Sequence, residues 1–256
     1  MDNGRERGTQ HQVIVRAYEE LNDFLPAERR RRAFPVRFLV SPTVKDVIEA
    51  QGIPHAEVDL IVVNGVSVGF EYRVQAGDRI AVYPTFESID FQPVVRLRPD
   101  PLRRSAFIAD VHLRKLARYL RLLGFDVAWE SAWEDPEIVR RSVDTGRIIL
   151  TRDRQLLKRG DVTRGYWVRS IDPIEQAREV IRRFDLSEAV RPYTRCPVCN
   201  GELRHVNKAD VLDRIPPKTA AWLDEYYECA ACGKLYWRGT HTARLDDAIA
   251  RMRACN

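Results

Sequence analysis

The sequence predicts an α/β multidomain protein, with a strand-rich N-terminal unit, a central domain built on a mostly parallel sheet, and a C-terminal segment organised by cysteines. Three observations predict it. The stretch "VVNGVSV" sets an Asn-Gly turn between two β-branched runs, short apolar runs alternate with helical patterns from residue 106 to about 190, and two Cys-x-x-Cys pairs bracket the last unit. At 256 residues the chain exceeds the usual size of one domain.

Composition sets the class. With 45% hydrophobic and 31% charged residues the chain is globular rather than disordered, and no apolar run approaches the roughly 20 residues of a membrane span. The start, "MDNGRERGTQ", is polar and lacks the apolar centre of a signal peptide, so a cytoplasmic location is expected. Net charge is +5, and the arginine runs "ERRRRAF" and "RLRPDPLRRS" lean toward polyanionic partners. "RRRR" at 29–32 is equally readable as a solvated loop.

Residues 11–84 form the first unit: "HQVIVRAY", "PVRFLV", a helix "TVKDVIEAQGI" after Ser41-Pro42, then "DLIVVNGVSV" and "DRIAVYP". Residues 85–105 bring prolines and mixed charge without a sustained period, and are expected to be a linker. Residues 106–190 follow a βαβαβαβα rhythm, with helices expected over 112–123, 136–145, 153–159 and 173–184. Residues 191–256 are too few to rely on a hydrophobic core alone.

In an open parallel sheet the functional crevice lies at the carboxyl ends of the strands. Acidic residues gather there. Asp110 ends "AFIAD", Glu130, Glu134 and Asp135 follow "FDVAW", Asp153 follows "RIILTR", and Asp172 follows "GYWVRSI". Such carboxylates suit Mg²⁺ or Mn²⁺, which can activate water and neutralise a phosphate. Each also precedes or starts a helix, so each can be an N-cap, and Asp172-Pro173 has the form of a cap with Pro at the first helical position. Asp110 and Asp153 are joined most directly to their strands. On the helix after Asp110, Leu113, Leu116, Ala117, Leu120 and Leu123 share one arc, while Arg114, Arg118 and Arg121 form a separate stripe expected to face solvent. With Lys115 and Arg152 this stripe is either a solvated face or a track for a phosphate backbone.

The stretches "FIADVHLRKLARYLRLLGFDVAW", "RIILTRDRQLL" and a four-cysteine ribbon ending "LYWRGTHTARL" closely resemble the Mut-seven C-terminal RNase domain, a PIN-like nuclease family, over residues 106 to about 247. The resemblance implies a PIN-like α/β/α domain with a zinc ribbon, a metal-dependent ribonuclease activity, Asp110 and Asp153 as Mg²⁺ or Mn²⁺ ligands, and Asp135 and Asp172 completing an acidic quartet. The chain departs from the family pattern at Arg114, where a glycine is expected, and at His112, where an apolar residue is expected.

"CPVC" at Cys196 and Cys199 and "CAAC" at Cys229 and Cys232 make two knuckles that can close a tetrahedral zinc site with no open position, so the zinc is expected to be structural. Two disulfides or a redox pair are the other readings of such spacing. Cys255 is left over, and His205 is expected at the surface. Trp237, Arg238 and His241 in the ribbon can contact RNA, or the aromatics can cover a small core.

Residues 11–84 resemble the β-grasp, ubiquitin-like fold of the small sulfur-carrier proteins, with "VVNGVSV" and "VQAGDRIAVYP" at the matching places. Sulfur carriers act through a free Gly-Gly terminus. Here Tyr83-Pro84 runs on into the linker, so an interaction or substrate-positioning role is expected instead, with a protein as a candidate partner. The sequence as a whole predicts a ribonuclease acting on RNA, tRNA or another structured RNA among the candidates, with no membrane association; a non-catalytic RNA- or ribosome-binding adaptor is the alternative. Oligomeric state is not legible.

Overall fold

The computed structural model describes residues 10–84, 106–239 and 242–254. The expected linker, His241 and Cys255 lie outside the described residues. The chain divides into two compact units, one containing residues 10–84 and 153–166, the other residues 106–152 and 167–254.

The first unit is a β-grasp. Strands β1 (His11–Ala17), β2 (Phe34–Phe38), β3 (Val58–Val63), β4 (Val66–Ser67) and β5 (Arg79–Pro84) form one sheet in the order β2-β1-β5-β3-β4. The central pair, β1 and β5, is parallel and the remaining neighbours are antiparallel. Alternation in β1 puts Val13, Val15 and Ala17 in the core, and helix α1 (Val44–Ala50) adds Val44, Val47 and Ile48. Thr43 starts α1 through a capping box: its hydroxyl accepts the Asp46 N–H at 3.1 Å, and the Asp46 carboxylate accepts the Thr43 N–H at 2.9 Å. The expected hairpin is present, with Val63 opposite Val66 across Asn64-Gly65.

The second unit holds β6 (Ala106–Ala109), α2 (Arg114–Leu122), β7 (Asp126–Ala128), α3 (Asp135–Thr145), β8 (Ile148–Thr151) and α4 (Pro173–Arg183). The sheet order is β7-β6-β8-β9, where β9 is Gly165–Trp167, and β6 runs parallel to both β7 and β8. Phe107 and Ile108 are fully buried in β6, as are Leu116, Ala117 and Leu120 on the inner face of α2. The chain then continues into an antiparallel ribbon of β10 (Leu203–Val206), β11 (Tyr226–Cys229) and β12 (Leu235–Trp237), with the short helix α5 (Pro217–Ala220) between β10 and β11 and α6 (Thr242–Arg253) at the end.

One expected helix is not formed. Over 153–159 the chain makes only a 3₁₀ turn, Leu156–Lys158. The apolar anchors Leu156 and Leu157 are adjacent, so they cannot build the i, i+3, i+4 stripe that stabilises an α-helix. Among the described residues no helix is long and apolar enough to cross a membrane.

Candidate active site and metal centre

Crossovers from β6 lead first to β7 on one side and then to β8 on the other, so the sheet reverses its direction of growth between β6 and β8. Ligands of open parallel sheets bind at such a point, beyond the carboxyl ends of the strands. Asp110 occupies it. Its N–H donates to the Leu150 carbonyl of β8 at 2.9 Å, its Oδ2 accepts the Thr151 hydroxyl at 2.7 Å, and its Oδ1 accepts the His112 N–H at 3.2 Å. The residue is 4% exposed. Asp110 therefore caps the turn Val111–Leu113 and is also a buried carboxylate at the switch point. Thr151 was not nominated by sequence; its signal is its place as the last residue of "RIILT".

The other acidic residues are arranged differently. Asp172 is the N-cap of α4, its Oδ1 accepting the N–H groups of Ile174 at 2.9 Å and Glu175 at 3.2 Å. Asp135 is the first residue of α3, after the N-cap Glu134. Asp153 belongs to the first unit, and its Oδ1 accepts the Gln155 N–H at 2.7 Å. Among the described residues, the one group of three or more His, Cys, Asp or Glu side chains close enough to share an ion is made of cysteines.

Arg114, Lys115 and Arg118 are exposed on α2, and the Arg114 guanidinium lies 5.6 Å from the Trp129 ring centre. Arg121 corrects the expected stripe. It is 2% exposed, and it donates to the carbonyls of Val127 at 2.8 Å and Val198 at 2.7 Å. Helical periodicity could not foresee this, because the segment covering that end of α2 comes from the first cysteine knuckle. Arg152 is likewise engaged, donating to the carbonyls of Arg169 at 3.0 Å and of Ser170. Trp237 packs on the small ribbon core of Val211, Ile215 and Tyr226, which is the covering role. Arg238 is exposed and lies 5.4 Å from the Tyr193 ring centre. His205 is at the surface, edge-on to Tyr227.

The two cysteine knuckles repeat one geometry. After the second cysteine of each pair, Asn200 (φ 72°) and Gly233 (φ 67°) turn left-handed, and their N–H groups return to the carbonyls of Cys196 and Cys229, both at 2.9 Å. A Cβ on Gly201 would come 2.8 Å from the Cys229 sulfur, so the backbone closes tightly around the sulfurs. The four Sγ atoms lie within 4.8 Å of one another, with Cys196 and Cys232 at 3.9 Å. Thiolates at 2.3 Å from a tetrahedral zinc stand about 3.8 Å apart, so the cluster fits that ion. None of the four is joined in a disulfide. Burial alone would push Cys196 up, but the Tyr236 hydroxyl at 3.0 Å and the N–H groups of Cys199 and Val198 outweigh it and bring the thiol down to about 7. Cys199 is pushed up to about 12, by burial first and then by the neighbouring sulfurs. Four cysteine ligands leave no open position, so a zinc here supports the fold.

Two family models match the chain. The Mut7-C RNAse domain family matches residues 105–249, and the Mut7-C ubiquitin family matches residues 10–90. Two crystal structures of small archaeal modifier protein 1 from Haloferax volcanii are each 19% identical to this chain, covering 30% of it and 99% of their own length, with a TM-score of 0.23. No curated protein matches the chain. With the RNase match spanning more than half of its length, the chain belongs to the Mut7-C RNase domain family, with a Mut7-C ubiquitin-like domain in front.

Proposed function

We propose that the protein is a metal-dependent ribonuclease that hydrolyses RNA phosphodiester bonds, with Asp110, Asp135, Asp153 and Asp172 as its acidic residues and Mg²⁺ or Mn²⁺ as the metal. The observation that carries this reading is Asp110, a carboxylate buried at the switch point of a parallel sheet in an RNase-family domain. One hydroxyl and one N–H meet its two oxygens, whereas a carboxylate offers about four lone-pair positions. Capacity for a cation remains. Mg²⁺ retains several waters and commonly takes only one or two protein carboxylates beside phosphate oxygens, so Asp110 does not need a tight carboxylate triad around it. A bound divalent ion would supply an activated water and neutralise charge building on the phosphate.

The protein's own groups have separate tasks in this reading. Thr151 fixes the orientation of Asp110, while Arg114, Lys115 and Arg118 align the phosphate backbone of a structured RNA such as tRNA. The β-grasp offers a surface for a protein partner.

The test is cleavage of labelled RNA with Mn²⁺ or Mg²⁺ by the unaltered protein and by Asp110→Asn. Asn retains an oxygen for the His112 N–H, so the cap survives while the charge is lost. Cleavage should fall by at least about a hundredfold. Equal cleavage by both proteins would sink the assignment. A non-catalytic RNA-binding adaptor is favoured by one observation, the capping bonds of Asp172, and predicts salt-sensitive binding indifferent to divalent metal with no cleavage at all.

A further inference from the structure

Residues 153–166 follow β8 and run into the first two residues of β9, yet they group with the first unit. Asp153 opens this segment. Leu156, Leu157 and Val162 are buried, none more than 1% exposed, and the Arg154 guanidinium lies 5.5 Å from the Phe24 ring centre. Apolar burial holds the segment in place but does not fix a backbone position on its own.

A directional bond does. His55, in the 3₁₀ turn His55–Glu57, is 6% exposed, and its Nε2 lies 2.9 Å from the Val162 carbonyl oxygen. Its Nδ1 lies 2.5 Å from Glu49 Oε1, on α1. A carbonyl accepts only, so the contact with Val162 is made by an N–H at Nε2. Glu49 holds the ring from its other nitrogen, so that Nε2 faces Val162. Phe70 stands perpendicular to the imidazole at 5.9 Å and limits its rotation. A buried apolar side chain would fill the same space without needing two partners.

We infer that His55 is a positioning residue of the ribonuclease: through Val162 it fixes the segment that carries Asp153, and the ubiquitin-like domain thereby acts as an internal brace of the nuclease. This rests on the metal-binding role proposed for Asp153.

The test uses the full chain and two substitutions. His55→Gln keeps a donor near the position of Nε2, whereas His55→Asn keeps only one near Nδ1. Amide exchange over residues 153–166 should be about tenfold faster in His55→Asn and close to the unaltered protein in His55→Gln, with β1 and β5 equally protected in all three. In RNA cleavage, His55→Asn should lower kcat at unchanged KM, and His55→Gln should restore it. Equal exchange in the three proteins overturns the brace. A loosened segment with full kcat overturns its link to Asp153. Should His55→Asn fail to fold, His55→Leu replaces it: an apolar side chain fills the space but offers no donor to the Val162 carbonyl, so the segment should loosen in the same way. An unaltered protein that cleaves nothing removes the ribonuclease reading alone, since the exchange measurement still decides the brace.

Discussion

Asn200, in the first cysteine knuckle, donates its Nδ2 to Asp126 Oδ1 at 2.6 Å and accepts the N–H of the neighbouring Val127 on its Oδ1 at 3.0 Å. One side chain thus satisfies both a carboxylate and a backbone donor on β7, an edge strand whose outer polar groups would otherwise be unpaired. Arg147 approaches the same carboxylate with two nitrogens, at 2.8 and 3.0 Å. Arg121 completes the junction from α2 through the Val127 and Val198 carbonyls. The ribbon is therefore tied by hydrogen bonds to the sheet that carries Asp110.

Asp126 makes this junction sensitive to acid. Burial alone would raise its pKa, but the bonds from Arg147 and Asn200, with the charges of Arg147 and Arg195, hold it below the ordinary carboxylate range. A carboxyl that is more acidic folded than unfolded contributes stability above its unfolded pKa, about 3.9, and that contribution disappears as pH falls through the lower folded value. Asp126→Asn should remove this part of the pH dependence. Melting temperatures of the two proteins should differ at pH 6 and converge as pH falls through the lowered folded value. A difference that stays constant over that range would count against the ion pair.

Zinc should stabilise more than the ribbon. Chelation is expected to release one zinc per chain, since the four sulfurs form one cluster. Structural zinc sites are worth on the order of 10 kcal/mol to the fold they close. Because Asn200 and Val198 belong to the first knuckle, amide exchange should rise at Asp126–Ala128 as well as at Leu203–Val206. Loss confined to the ribbon would mean that the knuckle and β7 are energetically separate.

Much of this architecture was legible in the sequence, for identifiable reasons. The Asn-Gly hairpin, the α/β alternation and the two cysteine pairs are local signals, each encoded within a few residues. Arg121 and the 153–166 segment were misjudged because their surroundings come from distant residues: the helical wheel places Arg121 beside Arg118, yet Val198 contributes one of the carbonyls it binds. Thr151 escaped notice because a threonine ending a strand is ordinary until its partner across the sheet is known. Asp110 stood out, but its two roles, capping a turn and remaining buried beside Thr151, could be separated only by geometry.

That difference between neighbouring arginines is measurable in RNA binding. Arg118→Ala should weaken binding of a single RNA and reduce the slope of log affinity against log salt by about 1, as expected for one lost phosphate contact. Arg121→Met should leave the slope unchanged, because a guanidinium spent on buried carbonyls does not reach phosphate. It should instead destabilise the protein by about 3 kcal/mol, since the two carbonyls lose their donor. Equal changes in salt slope for both substitutions would show that Arg121 leaves its buried partners when RNA binds.

Gly124 links the end of α2 to the chain entering the ribbon. Leu122 and Leu123 accept, on their carbonyls, the N–H groups of Tyr193 at 3.0 Å and Arg191 at 2.8 Å, which brings the two backbones close. Gly124 has φ +96°, and a Cβ there would lie 2.2 Å from the Arg191 carbonyl oxygen. Two costs combine in Gly124→Ala, a left-handed backbone and a clash with main chain that cannot rotate away. Two further glycines separate them. At Gly146 φ is also positive, +66°, but a Cβ meets nothing within 4 Å, and at Gly160 the space is equally open with no positive φ. Gly160→Ala should be within about 0.5 kcal/mol of neutral, Gly146→Ala should cost about 1, and Gly124→Ala about 3 or more, read from denaturant unfolding. If Gly124→Ala cost no more than Gly146→Ala, the backbone around Arg191 would have to give way easily, and the close approach between α2 and the entry to the ribbon would not be a rigid joint.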